Sequence, residues 1–118
     1  MENHELNKIS IAKYSDNQEI LSLLILQLVK DFESSSISLK LQAHASSTLI
    51  KDQVYEALLK DVRSSKSKIH QLLYRIDVSE SSIGKIRDQN DLNNFIKSLT
   101  DIVIERELKK VIIRKIYR

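Results

Sequence analysis

Asn17-Gln18-Glu19-Ile20-Leu21-Ser22-Leu23-Leu24-Ile25-Leu26-Gln27-Leu28-Val29-Lys30-Asp31-Phe32-Glu33 contains the most apolar run of the chain, Ile20 to Val29. Ile20, Leu21, Leu24, Leu28 and Phe32 recur at three- and four-residue spacing, which predicts a helix. Leu23, Ile25, Leu26 and Val29 fill its other side, so the helix is apolar nearly all round. Such a helix is central in a core or covered by a second chain. Asp16 ahead of it, with Glu19 three residues on, predicts a capping box. The run Ser34-Ser35-Ser36 ends it. Ten residues interrupted by Ser22 and Gln27 fall short of the roughly 20 apolar residues that a bilayer crossing needs. The acidic start, Met1-Glu2-Asn3-His4-Glu5, does not read as a signal peptide. A cytoplasmic protein that makes no use of a membrane is expected.

The remainder reads outward from that helix. Residues 1–15 carry only Leu6, Ile9, Ile11 and Tyr14 as apolar points and are expected to be a loosely held arm. Ile37-Ser38-Leu39-Lys40-Leu41-Gln42-Ala43-His44-Ala45 alternates with period two, the signature of an extended segment. Ser46 or Ser47 can cap a second helix bearing Leu49, Ile50, Val54, Leu58 and Val62. The polar cluster Arg63 to Lys68 is a turn. A third helix carries Ile69, Leu72, Leu73 and Ile76 and ends near Asp77. Ser79 can cap a short fourth helix that holds Gly84. Asn90 or Asp91 can cap a last, long helix from Leu92 to about Ile116.

The chain has 118 residues, one glycine, no proline and no cysteine. One domain spanning 1–118 is expected at this length. Glycine-rich phosphate loops and glycine-containing hairpin turns are excluded by composition. So are disulfides and thiolate chemistry. The fold class expected is all-α, a four- to five-helix bundle with one short extended segment at about 37–45.

Two segments carry a resemblance. His70-Gln71-Leu72-Leu73-Tyr74-Arg75-Ile76-Asp77-Val78-Ser79-Glu80 and Ile102-Val103-Ile104-Glu105-Arg106-Glu107-Leu108-Lys109-Lys110-Val111 are similar to paired motifs in a family of small helical bacterial proteins of uncharacterised function. The resemblance covers roughly residues 48–114. It implies a helical fold and a bacterial source, and it supplies no activity, cofactor or catalytic residue.

The charged residues inside these segments interrupt apolar helix faces. A partly buried arginine normally pairs with a carboxylate. Arg75 is therefore expected to pair with Glu105 or Glu107, and Arg106 with Asp77, fixing how two helices pack; an anion site on Arg75 and Arg106 is the weaker reading. His4, His44 and His70 lie apart, with no convergent ligand set, so no metal or other cofactor is expected. Ser65 and Lys68 match Ser-x-x-Lys only in a polar turn. The chain is read as not an enzyme.

Net charge is +3. Lys109, Lys110, Arg114, Lys115 and Arg118 crowd the C-terminal helix end. They could meet phosphates, although cations are favoured there by the helix dipole alone. Two functions follow: a non-catalytic helical interaction or scaffold protein that self-associates, or a basic nucleic-acid-binding accessory protein. The first is favoured. The alternation at 37–45 places Ile37, Leu39 and Leu41 on one side, with a backbone edge that needs a partner. A homodimer is the preferred partner, ahead of in-chain pairing with Ile9–Ile11 or strand addition from another protein.

Overall fold

The computed structural model describes residues 10–87 and 91–117. Among the described residues there are five α-helices: α1 Gln18–Ser34, α2 Ser47–Val62, α3 Ile69–Arg75, α4 Glu80–Gly84 and α5 Leu92–Tyr117. A single 3-10 turn, Ile11–Tyr14, precedes them. No strand occurs among the described residues. The expected all-α bundle is what forms. The long helix α5 packs along both α1 and α2, and α3 lies against the same two helices.

The helix starts follow side-chain capping. Ser46 Oγ accepts from Leu49 N at 3.1 Å and Ser79 Oγ from Ser82 N at 3.1 Å. Asp91 Oδ1 accepts from Asn93 N at 3.1 Å at the head of α5; the alternative cap Asn90 lies outside the described residues. The α1 cap corrects the expectation by one residue. Asn17 Oδ1, not Asp16, accepts from Ile20 N at 3.0 Å.

The helix ends solve a problem set by composition. A helix commonly terminates on a glycine in the left-handed region, and this chain has only Gly84. Ser36 and Asp77 take that role, with φ of 63° and 64°. After α1, Ile37 N donates to Phe32 O at 2.9 Å and Ser36 N to Glu33 O at 3.0 Å. After α3, Val78 N donates to Leu73 O at 3.0 Å and Asp77 N to Tyr74 O at 3.2 Å. Both are the paired six-to-one and five-to-two bonds of a Schellman ending. The polar turn between α2 and α3 is organised by Asp61, whose carboxylate accepts from Lys68 N at 3.0 Å and from Ser67 Oγ at 2.8 Å.

One core runs through the bundle. Leu24, Leu28 and Phe32 of α1 meet Ile50, Val54 and Leu58 of α2, Leu72 of α3, and Ile96, Val103 and Leu108 of α5. Two expectations are corrected here. The arm is not loose over Ile11–Tyr14: Ile11 is buried, and the turn packs on α1, α2 and α5. Residues 1–9, including His4, Leu6 and Ile9, lie outside the described residues. The segment after α1 is a connection and not a strand. Its sidedness is real at first: Ile37 and Leu39 are buried, Ser38 and Lys40 exposed, and Leu41 packs half-buried against the core. The alternation then fails at Ala43, which is exposed in a turn. The alternating pattern records an extended cover over apolar helices, which needs the same period as a strand but no ladder. Ile37 and Leu39 therefore belong to the chain's own packing, and Leu41 rests half-buried against it.

A serine held in the left-handed region costs about 1 kcal/mol or more relative to glycine. Ser36→Gly is therefore expected to raise stability by roughly 0.5–1 kcal/mol, the gain being trimmed by the greater freedom of glycine in the unfolded chain. Urea denaturation of the two proteins measures it, and a loss of stability would contradict the assignment of the α1 ending.

Candidate functional site

Two polar residues, Gln27 and Asp31, sit one turn apart on the core side of α1 and are buried. Gln27 Nε2 donates to Asp31 Oδ2 at 2.7 Å. Arg75 Nε, from the end of α3, donates to Asp31 Oδ1 at 3.0 Å. Lys110 Nζ, from α5, reaches Asp31 Oδ2 at 3.4 Å and Glu107 Oε1 at 3.4 Å. Gln27 Oε1 accepts from Arg114 Nη1 at 2.8 Å. A single carboxylate thus gathers donors from three helices.

Glu107 is fully buried, at 0 % exposure. As a carboxylate it finds no hydrogen-bond donor for either oxygen. Its Lys110 neighbour, 3.4 Å from Oε1, supplies charge attraction. A proton on Glu107 resolves this, because a carboxylic acid can donate to Asp31. Burial, then the hydrogen bond to Asp31 and the Asp31 charge, push Glu107 up to about 8 against the pull of Lys110. Burial raises Asp31 too, but the bonds from Glu107 and Gln27, the Lys110 charge and the Arg75 bond prevail and hold it at about 2. Near neutral pH the pair keeps one proton, on Glu107. Carboxyls with divided pKa values are a common acid–base arrangement. Here both are buried in the core among the surrounding helices.

The expected ion pairs are half right. Arg106 Nη2 meets Asp77 Oδ2 at 3.2 Å, and its Nε donates to Ile76 O at 3.0 Å, tying α5 to the end of α3. Arg75 does not meet Glu105 or Glu107; its partner is Asp31 on α1. Glu105 faces outward on α5, where burial and then the nearby Asp101 raise its pKa against the pull of Lys51. Glu107 turns inward to Asp31 and Lys110. Of the expected basic patch, Lys110 serves the carboxyl pair, Arg114 bonds Gln27, and Lys115 Nζ pairs with Glu19 Oε2 at 2.5 Å. Lys109 is half-buried on α5, and Arg118 lies outside the described residues. Three of the four described cations are thus turned toward α1 and its polar groups, which weakens the phosphate-binding reading. His44 and His70 are exposed. Among the described residues no cluster of His, Cys, Asp or Glu could hold a metal ion, and no helix is long and apolar enough to cross a membrane.

The flank of α1 that runs from Gln27 to Leu26 beside α5 is open. Leu26 is 68 % exposed, the most exposed aliphatic side chain among the described residues. With Leu23 of α1 and Val111 of α5 it lines a groove of about 280 Å³ between the two helices. Lys30, Arg114 and Lys115 rim it. Sequence reasoning missed Asp31 and Gln27, yet a signal was present: two polar residues four apart, between Leu24, Leu28 and Phe32, on a helix otherwise apolar all round.

Removing Asp31 leaves Gln27, Glu107 and two cations without their acceptor. Asp31→Ala is expected to cost about 3 kcal/mol, within the range for breaking a buried pair, whereas Glu105→Ala on the exposed face is expected to cost under about 0.5 kcal/mol. Similar losses for both in chemical denaturation would refute this ranking. The pair also sets a pH dependence. Glu107 is raised, so between its ordinary value of 4.5 and about 8 the folded chain holds a proton that the unfolded chain has released. Stability must fall as pH rises through that window. Asp31 is lowered from 3.8 to about 2, so its contribution grows as pH rises through that lower range. The expected maximum lies near pH 4–5, with a loss of roughly 2–3 kcal/mol by pH 7 from Glu107. Glu107→Gln keeps a donor to Asp31 without a titrating proton and should flatten the slope above pH 5. A wild-type protein with no such slope would contradict the shared proton.

No family model, no curated protein and no solved structure matches the chain.

Proposed function

We propose that the chain is a non-catalytic helical interaction protein that associates with itself through the groove between α1 and α5. The observation that carries this reading is Leu26. An aliphatic side chain 68 % exposed at the centre of the most apolar helix stands over a groove floored by Leu23 and Val111. Isolated exposed apolar residues are ordinary, but one set in an apolar groove with a charged rim has the anatomy of an interface, apolar at its centre and polar at its edge. Two further points support it. The buried carboxyls lie out of a substrate's reach. The basic residues at the end of α5 have partners on α1 and are poorly placed to track a phosphate backbone, which sets the nucleic-acid reading behind this one.

Light scattering after size exclusion at high micromolar protein, with and without duplex and single-stranded nucleic acid, tests the proposal. Wild type is expected to self-associate without nucleic acid. Burying Leu26 from both copies contributes about 1.5 kcal/mol or more each, so Leu26→Glu should weaken association at least about hundredfold. Its folded stability should be nearly unchanged, since the side chain is exposed. A monomeric wild type that binds nucleic acid in a salt-sensitive way would overturn the proposal.

A further inference from the structure

The groove is matched to α1 itself. Glu19, Leu23, Leu26 and Lys30 are spaced four, three and four residues apart, the repeat of a two-helix seam. At 100° per residue they fall within about 60° around the helix. The stripe runs acid, leucine, leucine, lysine. Laid antiparallel on a copy of itself, Leu23 falls opposite the partner's Leu26, and Glu19 opposite the partner's Lys30. One two-fold axis, between Leu24 and Ile25, satisfies both pairings at once. A parallel arrangement would set Glu19 on Glu19 and Lys30 on Lys30.

We infer that the occupant of the groove is the α1 helix of a second copy, antiparallel and in this register. The inference rests on the self-association reading above. A two-fold interface must be complementary to itself, and this stripe is, in both its apolar and its charged positions. Glu19 has room for the added cation: it pairs with Lys115 yet leaves 66 % of its side chain exposed. Lys30 is exposed on the groove rim. A helix of 17 residues is about 25 Å long, so one such seam gives a small interface and a weak, reversible dimer.

Sedimentation equilibrium of charge-swapped variants tests the register. All are made on Lys115→Gln, which removes one own-chain partner of Glu19. Glu19→Lys alone and Lys30→Glu alone each place two like-charge pairs across the axis and should weaken the dimer roughly tenfold at low salt. The double variant should recover most of the affinity, and mixing the two single variants should yield a heterodimer tighter than either homodimer. Single variants as tight as the parent, or a double variant weaker than both, would overturn the register while the dependence on Leu26 still upheld self-association. Loss of both dependences would overturn the two proposals together.

Discussion

A carboxylate placed on the core side of α1 must find donors once water is withdrawn, and Asp31 finds them on α1 itself, on α3 and on α5. That requirement fixes where the other elements can lie. Arg75 must arrive at the end of α3, Lys110 must point inward from α5, and Glu107 must keep a proton to avoid a second negative charge in the same apolar space. Replacing such a network by apolar side chains can be neutral or stabilising in other proteins. Its contribution here is better described as specificity: a bundle of leucine and isoleucine faces could slide along its helices, and three helices meeting at one carboxylate cannot.

The helix ends place the partners of that network. Asp77 occupies the left-handed position after α3 while its carboxylate accepts from Arg106. Arg75 lies two residues earlier and crosses to α1. The end of α3 is therefore pinned to α1 on one side and to α5 on the other. Ser36 does the equivalent turn after α1 and sends Ile37 and Leu39 back over the core. A chain with one glycine and no proline manages its turns with serine, aspartate and asparagine, whose short polar side chains tolerate the left-handed region or cap the next helix.

Much of this was legible in sequence. Helix positions followed from three- and four-residue spacing, the caps Ser46 and Ser79 from their type and place, and the Arg106–Asp77 pair from two charges set in apolar surroundings. The pairing of Arg75 was not, because a local pattern names a charged residue without naming its partner 44 residues away. Gln27 and Asp31 were passed over because the apolar count around them was so high. The 37–45 segment is non-helical as expected over 37–42, but it forms no ladder among the described residues: a connection lying over a core alternates in and out just as a strand does, and here the alternation ends at Ala43. The all-round hydrophobicity of α1 implies a helix central in the core or covered by a second chain, and α1 does pack centrally, against α3, α5 and the 3-10 turn. Ile37 and Leu39 of the following segment join the same core.

α1 thus carries a polar clamp on its inner face and, beside it, leucines at an open groove that Gln27 of the clamp also lines. The inner face defines the fold, and at its centre Asp31 and Glu107 hold one proton between them at neutral pH. Carbon-detected NMR titration of the side-chain carboxyls reports this directly. The account predicts that Glu107 titrates with a midpoint near 8 while Asp31 stays ionised down to about 2. A Glu107 carboxyl that titrates near its ordinary 4.5 would contradict it.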